Sequence, residues 1–351
     1  MKYYYSIIIT ISIVIFLIVL CRKESILSFV EGLSSAERPF LNVYAVDSKG
    51  GETLTNILFI THPFVSESQY ETYTKKKAEG SKFLGMTSYS EFPNHISNPH
   101  DRFANVNDIA WNYNYNDLVD GWCYCFRNSQ GLKNPKLLLS ESDFANINLH
   151  VPDDTPKEYD FMYVCIKDNN SCEDGWQSYN RNWEVAKEML KIMCDDFGLK
   201  GLLIGRINCE IPAGCHSLMN LTDFQEYVKF IKNYNKCKFL FVPNITDASP
   251  RVVTEAMCYN LPIFMNVDIL GGWKYIIPGE TGEFFNNNID NFRYCLENFL
   301  SHLGEYKSRD HFKNNYGQNS GKQLLDFVKK IYKPSDININ LEKILYLKPA
   351  V

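Results

Sequence analysis

The chain has no nucleic-acid-type basic run, no Cys-x-x-Cys pair and no Gly-x-x-x-x-Gly-Lys loop. Each absence removes a class of function. Asp and Glu (41) outnumber Lys and Arg (36), the net charge is −5, and nothing marks a nucleic-acid footprint. Without a Gly-Lys loop to cradle phosphates, the chain carries no signature of a nucleoside-triphosphate enzyme. Eleven cysteines are present but irregularly spaced, and Cys123-Tyr-Cys125 lacks the second pair that a zinc site needs. Cys165, Cys194, Cys237 and Cys258 fall inside apolar segments, which favours buried free thiols over a disulfide framework and so points to a reducing compartment. Three Asn-x-Ser/Thr sequons, at Asn169, Asn220 and Asn244, point the other way, so the compartment stays open.

What is present is ample for folding. The 351 residues are 45% hydrophobic and 14% aromatic, enough for two domains with their own cores. Tyr3 to Cys21 is apolar or weakly polar, and about 20 such residues in a helix cross a bilayer. The following CRKES is a poor cleavage site, so residues 1–21 are expected to be an uncleaved membrane anchor, with 22–40 as a stalk. Lys2 competes with Arg22 and Lys23 over orientation; an inside N-terminus is mildly favoured.

Residues 41–150 show strand-like runs at LNVYAVD, NILFITHPF, KFLGMTSY, WCYCF and KLLLSES, with a polar helical stretch after the second. This reads as a short α/β domain. The Pro- and Asp-rich HVPDDTPKEYD is a linker. From 151 to 335, strands FMYVCIK, GLLIGR, KFLFVP, LPIFMN and GEFF alternate with helical patterns. TDFQEYVKFIKNY is expected to open with a Thr222–Gln225 capping box and to bury a Phe224, Tyr227, Val228, Ile231 stripe. Such alternation means a parallel sheet covered by helices, whose ligands bind at the strands' carboxyl ends. Residues 336–351 read as a tail.

The stretch NITDASPRVVTEAMCYNLPIF follows the strand KFLFVP. Ser249 suits an N-cap and Pro250 the first helical position. The amides of Arg251, Val252 and Val253 then face forward at the positive end of a helix, a ready phosphate site. Asp247 lies before the cap and Glu255 one and a half turns inside, each able to hold paired hydroxyls. Phosphate flanked by hydroxyls describes a nucleotide-sugar. The plainer alternative is an Arg251–Glu255 surface ion pair at i, i+4, with Asp247 a turn residue.

The stretch continues EAMCYNLPIFMNVDILGGWKYIIPGETGEFF. Between Asp247 and Phe285 it presents in order an acid, seven residues, Glu-Ala-Met, Leu-Pro and a strand, a Gly-Gly loop and Thr-Gly before an apolar strand. This resembles the nucleotide-sugar-binding half of GT-B glycosyltransferases, above all glycosyltransferase family 4, over residues 159–333. The resemblance implies two Rossmann-like domains with parallel sheets, the N-terminal one reduced. It also implies transfer of a sugar from a nucleoside diphosphate to a glycan or lipid acceptor, with retention of configuration. No Asp-x-Asp occurs in the chain, which speaks against the metal-dependent GT-A type; no metal or cofactor is expected.

By that resemblance Glu255 would hold the ribose and Asp247 a hydroxyl of the transferred sugar. The amides near Arg251 and Val252, with the cation of Lys167, would stabilise the leaving diphosphate. Ser249 completes the helix tip, and Gly271 and Gly272 would let backbone approach the ligand. Three departures stand out. Asp247 replaces the family's Glu, shortening the reach by about 1.5 Å. Ala248-Ser249-Pro250 replaces a Gly-Phe-Gly-type turn. The basic pair after the domain's first strand is not at the usual spacing: Lys167 is the best match and Arg181 the next.

On the acceptor side, His62 ends the run NILFIT, and His100 and Asp101 sit in SNPHD; each is a candidate for binding acceptor or acting as base, as are Glu141 and Asp143. Trp176 is a candidate base-stacking ring. Two rival readings share the fold class: a catalytically inactive sugar-binding scaffold at the membrane, and a nucleotide-sugar epimerase.

Overall fold

The computed structural model describes residues 39–47, 50–87, 92–93, 113–168, 170–338 and 343–347. The expected anchor, nearly all of the stalk, His100, Asp101 and the Asn169 sequon lie outside the described residues. Among the described residues no helix is long and apolar enough to cross a membrane.

The first domain is built on β1 (Phe40–Val46), β2 (Glu52–Ile60), β3 (Lys82–Met86), β4 (Trp122–Tyr124) and β5 (Lys136–Leu138). β1 pairs antiparallel with β2, whereas β2 to β5 run parallel in chain order. The sheet is therefore mixed rather than wholly parallel. Helix α1 (Glu67–Ala78) makes the β2–β3 crossover and buries Tyr73 against Phe83, ring centroids 4.6 Å apart. A short turn of helix, α2 (Tyr115–Leu118), adds Tyr115 to the aromatic core of Phe64, Phe83, Phe92 and Trp122.

The second domain carries β6 (Tyr159–Val164), β7 (Gly201–Ile204), β8 (Met219–Thr222), β9 (Cys237–Val242), β10 (Ile263–Asn266) and β11 (Gly282–Phe285). All pairings are parallel, in the order β11-β10-β9-β6-β7-β8. This is the doubly wound order, with its reversal between β6 and β9. Helices α3 (Trp176–Asn180), α4 (Trp183–Asp195), α5 (Tyr227–Lys236), α6 (Arg251–Cys258) and α7 (Ile289–Ser301) surround it. Alternate strand residues serve opposite faces. Phe161, Tyr163, Phe239 and Phe241 meet α4 and α7, whereas Met162, Leu202, Leu240 and Val242 meet α5 and α6. Burial on both faces explains the near-continuous apolar strands.

β8 has no counterpart among the strands expected from sequence, since four residues carry little alternation. Thr222 ends that strand, and α5 begins at Tyr227 with Glu226 as its N-cap. The expected capping box is replaced by a loop contact from Gln225 Nε2 to Thr222 Oγ1, 3.1 Å. The predicted stripe is not buried as a unit: Phe224 is 74% and Val228 67% exposed. Tyr234 and Asn235 are the buried residues of α5, with Phe230 and Ile231 packed beside them.

The chain then returns to the first domain through α8 (Ser308–Asn315), α9 (Gln318–Ile331) and β12 (Ile344–Leu347). Leu324, Leu325, Phe327 and Val328 of α9 pack with Val43 and Leu345. β12 pairs antiparallel with β1, Val43 opposite Leu347. The C-terminal segment is thus a sixth strand, not a tail, and it covers an edge that would otherwise expose unpaired backbone.

The thiol expectation is met in part. Cys123, Cys125, Cys165, Cys237 and Cys258 are buried and free, but Cys172–Cys209 and Cys194–Cys215 are disulfides. The first staples the loops after β6 and β7. Spacing along the chain did not reveal either pair because the sheet, not the sequence, brings them together.

Candidate functional site

β6 and β9 are neighbours whose connections leave toward opposite sides of the sheet. Their carboxyl ends therefore bound a crevice, the place where open α/β sheets bind ligands. The loop after β9 is stitched to the segment before α4 by Ile245 N to Asn180 O, 3.1 Å. Arg181 Nη1 then lies 2.7 Å from Asp247 Oδ2, and Asn244 Nδ2 donates to the same oxygen at 3.0 Å. The two charged side chains are 20% and 13% exposed, so the pair borders solvent. A pocket of about 180 Å³ opens alongside, lined by Gly175, Ser178, Tyr179, Asn182, Trp183 and Ile245.

Gly271 and Gly272 shape the Asp247 loop. Gly271 N donates to Asp247 O at 2.9 Å, and a Cβ on Gly271 would fall 1.8 Å from Ala248 O. Gly272 sits at φ +80° with Pro250 Cγ 2.4 Å from where its Cβ would be. The close approach these glycines permit is to residues 248–250.

Helix α6 starts one residue later than the sequence suggests. Pro250 occupies the N-cap and Ser249 makes no cap bond. The Ser249 hydroxyl instead shares a 2.7 Å hydrogen bond with Ser142 of the first domain, whose hydroxyl also lies 2.9 Å from Ser249 O. Arg251 and Val252 head the helix, and Val253 N already donates to Pro250 O.

Glu255 is 2% exposed and turns inward, not toward Arg251. Tyr227 donates to Oε1 at 2.8 Å and Tyr234 to Oε2 at 2.9 Å. Burial pushes this carboxyl up, opposed by the two phenols and by Arg251. Behind Tyr227 stands buried His150, its Nε2 3.4 Å from the phenol. Burial, reinforced by Arg309, brings His150 down to about 4.

The first domain meets this crevice through the segments that follow β4 and β5. Since β2 to β5 are parallel, His62, Thr87, Cys125 and Ser140 all lie beyond their carboxyl ends on one rim. Cys125 and Phe126 pack on Ala248. Arg127 covers Trp273 at 4.8 Å and donates to Val267 O. Asp143 is gripped by Lys274 Nζ at 2.5 Å and by the Tyr275 phenol at 2.5 Å, in an ion pair 6% and 3% exposed. Glu141, two residues earlier, lies in the field of Arg251 and Asp247.

No protein-family model matches the chain, and no curated protein does. Solved structures do. Sucrose-phosphate synthase of Thermosynechococcus elongatus superposes with TM-score 0.51 at 10% identity, over 75% of this chain and 71% of that one. Anabaena HepE, solved with UDP and glucose, gives 0.51 and 10% over 75% and 76%. A Rickettsia africae glycosyltransferase gives 0.50 and 13% over 79% and 77%. The chain has the GT-B glycosyltransferase fold.

Within the GT-B cleft the structure gathers Arg181, Asp247, Ser249, Arg251, Gly271 and Gly272 around one loop. Glu255 lies behind them. Lys167 is half-buried beyond the carboxyl end of β6, its amide bonded to Gly205 O. His62 stands on the first-domain rim with Nδ1 2.9 Å from Thr61 Oγ1. Trp176 packs its ring 6.0 Å from Tyr179, on a helix whose first amides are capped by Asp168. Asp143 is a domain latch rather than an open carboxylate.

Sequence reasoning missed Arg206. This fully buried guanidinium stands two residues past the end of β7. It contacts Cys165 Sγ (3.0 Å), Ser178 Oγ (2.5 Å) and Ile166 O (3.3 Å), and lies 4.7 Å from the Trp183 ring. Its position after GLLIG, at a parallel strand's carboxyl end, was the available signal.

Proposed function

We propose that the protein transfers a sugar from a nucleoside diphosphate to a glycan or lipid acceptor. The observation that carries this reading is the meeting of Arg181, Asp247 and the α6 tip at the β6/β9 switch point, facing the first domain's carboxyl rim. In this reading the diphosphate lies against the Arg251 and Val252 amides, with Lys167 and Arg181 supplying charge. Such fixed dipoles act where negative charge develops on the leaving group. Asp247 holds a hydroxyl of the transferred sugar, and Glu255 the ribose. Ser249 fixes the loop, Gly271 and Gly272 allow its course, and His62 belongs to the acceptor side. Family 4 character and retention of configuration are part of the proposal, as are metal independence and attachment to a membrane through residues 1–21. HepE, of the same fold, was solved with UDP and glucose, which supports a nucleotide-sugar donor.

The test is turnover of a panel of nucleotide-sugars by the purified chain, with hydrolysis counted. Absence of both binding and turnover across the panel rejects the reading. A second reading has one observation in its favour: both Glu255 oxygens are already taken by tyrosines. A sugar-binding scaffold would bind donor without turnover, and Glu255→Gln would leave that binding nearly unchanged.

A further inference from the structure

Two phenols hold the carboxyl of Glu255, and their surroundings differ. Tyr234 donates to Oε2 at 2.9 Å and is fully buried. Its ring stacks on Tyr259 with centroids 5.2 Å apart, and its hydroxyl also lies 3.3 Å from Val252 O. Tyr227 donates to Oε1 at 2.8 Å but is 38% exposed. It is the first residue of α5, and its neighbours Phe224 and Val228 are more exposed still, so the head of that helix is open to solvent. Beyond Glu255, the polar group nearest this phenol is His150 Nε2, at 3.4 Å.

Both groups lie at the ligand-binding edge of the second domain. β6 to β9 are parallel, so Thr222, which ends β8, lies on the same edge as the Asp247 loop that follows β9. α5 starts shortly after Thr222 and α6 shortly after Asp247. Tyr227 heads the first helix, and Glu255 lies in the second turn of the other.

We propose that Tyr227 is a gate on the donor site: its hydroxyl stands in for a ribose hydroxyl on Glu255 and swings out when a nucleotide-sugar binds. This rests on the function proposed above, in which Glu255 holds the ribose.

The argument is one of room and of matched chemistry. With Tyr227 in place Glu255 is only 2% exposed. A ribose hydroxyl must come within about 2.7 Å of a carboxyl oxygen to bond it. A carboxyl so covered offers no face to a ligand until one partner moves. Leaving a buried carboxyl oxygen unpaired is costly, and a phenol meets that need with the same O–H group that a ribose brings. Exchanging one such hydrogen bond for another leaves mainly the movement of the ring. Exposed side chains change rotamer readily, and of the two tyrosines only Tyr227 has solvent beside it. Tyr234 stays as the fixed partner. No covalent bond is made or broken.

The test removes the competing hydroxyl and keeps the ring. Calorimetric titration of the full chain with UDP-glucose, or with whichever member of a nucleotide-sugar panel binds, compares wild type with Tyr227→Phe. The variant should bind about tenfold more tightly, the lower end of what a hydrogen bond to a charged group contributes. The 2′,3′-dideoxy counterpart of the same nucleotide-sugar has no ribose hydroxyl to offer Glu255, and its affinity should be the same in both proteins. Tyr234→Phe should give no gain with either ligand, because that phenol does not leave. Equal or weaker binding of the ribonucleotide by Tyr227→Phe overturns the inference. So does a gain shared by the dideoxy ligand, or one matched by Tyr234→Phe. Each of these leaves the glycosyltransferase reading intact, whereas failure of every nucleotide-sugar to bind overturns both.

Discussion

Asp247 is held by a cation and an amide on one oxygen, and that sets what its neighbours can be tested for. Removing Arg181 leaves Asp247 without its cation and the proposed diphosphate subsite without a charge. Charge-assisted hydrogen bonds contribute about 1.5–3 kcal/mol, so Arg181→Ala should weaken nucleotide-sugar binding by roughly one to two orders of magnitude. An unchanged dissociation constant would remove Arg181 from the site. His150 gives a pH prediction. Its folded value, about 4, lies below the ordinary 6.5. The unfolded chain therefore takes up a proton that the folded chain refuses, and stability falls as pH drops from about 6.5 toward about 4. The loss should reach about 3 kcal/mol, at 1.36 kcal/mol per decade. Denaturant midpoints measured across that range should slope in wild type and flatten in His150→Leu. An equal slope in both would mean another group is responsible.

At the scale of elements, the loop between β9 and α6 owes its course to backbone packed on backbone. Gly271→Ala would place a methyl carbon only 1.8 Å from Ala248 O. The neighbour is main chain and cannot swing aside, so residues 247–250 must shift. We expect lowered donor affinity together with a thermal midpoint several degrees below wild type, in line with the roughly 1–3 kcal/mol typical of overpacking. Normal affinity in this variant would show that the loop's position is unimportant to binding. The loop's existence was legible in the sequence: an apolar strand, an acid, Ser-Pro and an amphipathic run are local signals. Its cap was not. Ser249 is a good capping residue by type, but Ser142 of another domain competes for its hydroxyl. The α5 stripe failed for a similar reason. Apolar spacing says that a helix has a face, yet the sheet decides which face is covered.

For the whole molecule, the two halves are joined by a buried ion pair and by a chain that crosses back. Lys274→Ala would leave Asp143 charged and 3% exposed without its cation. Breaking one side of a buried pair is expected to lower stability by about 3–5 kcal/mol. Chemical denaturation of this variant should show the loss, and wild-type stability would mean that the Tyr275 phenol suffices. The sequence by itself determined the second domain's alternation of strands and helices, because each segment's apolar period is a local property. It also determined the Asp247-to-Glu255 spacing across a helix start. Tertiary structure alone decided which residues meet. Arg181 reaches Asp247 across 66 positions, Cys172 reaches Cys209, and Ser142 comes to Ser249 from another domain. It also decided that β12 completes the first sheet and that Glu255 faces two tyrosines. Such pairings depend on strand order and domain apposition, and these are set by burying two sheet faces at once, which no window of sequence encodes.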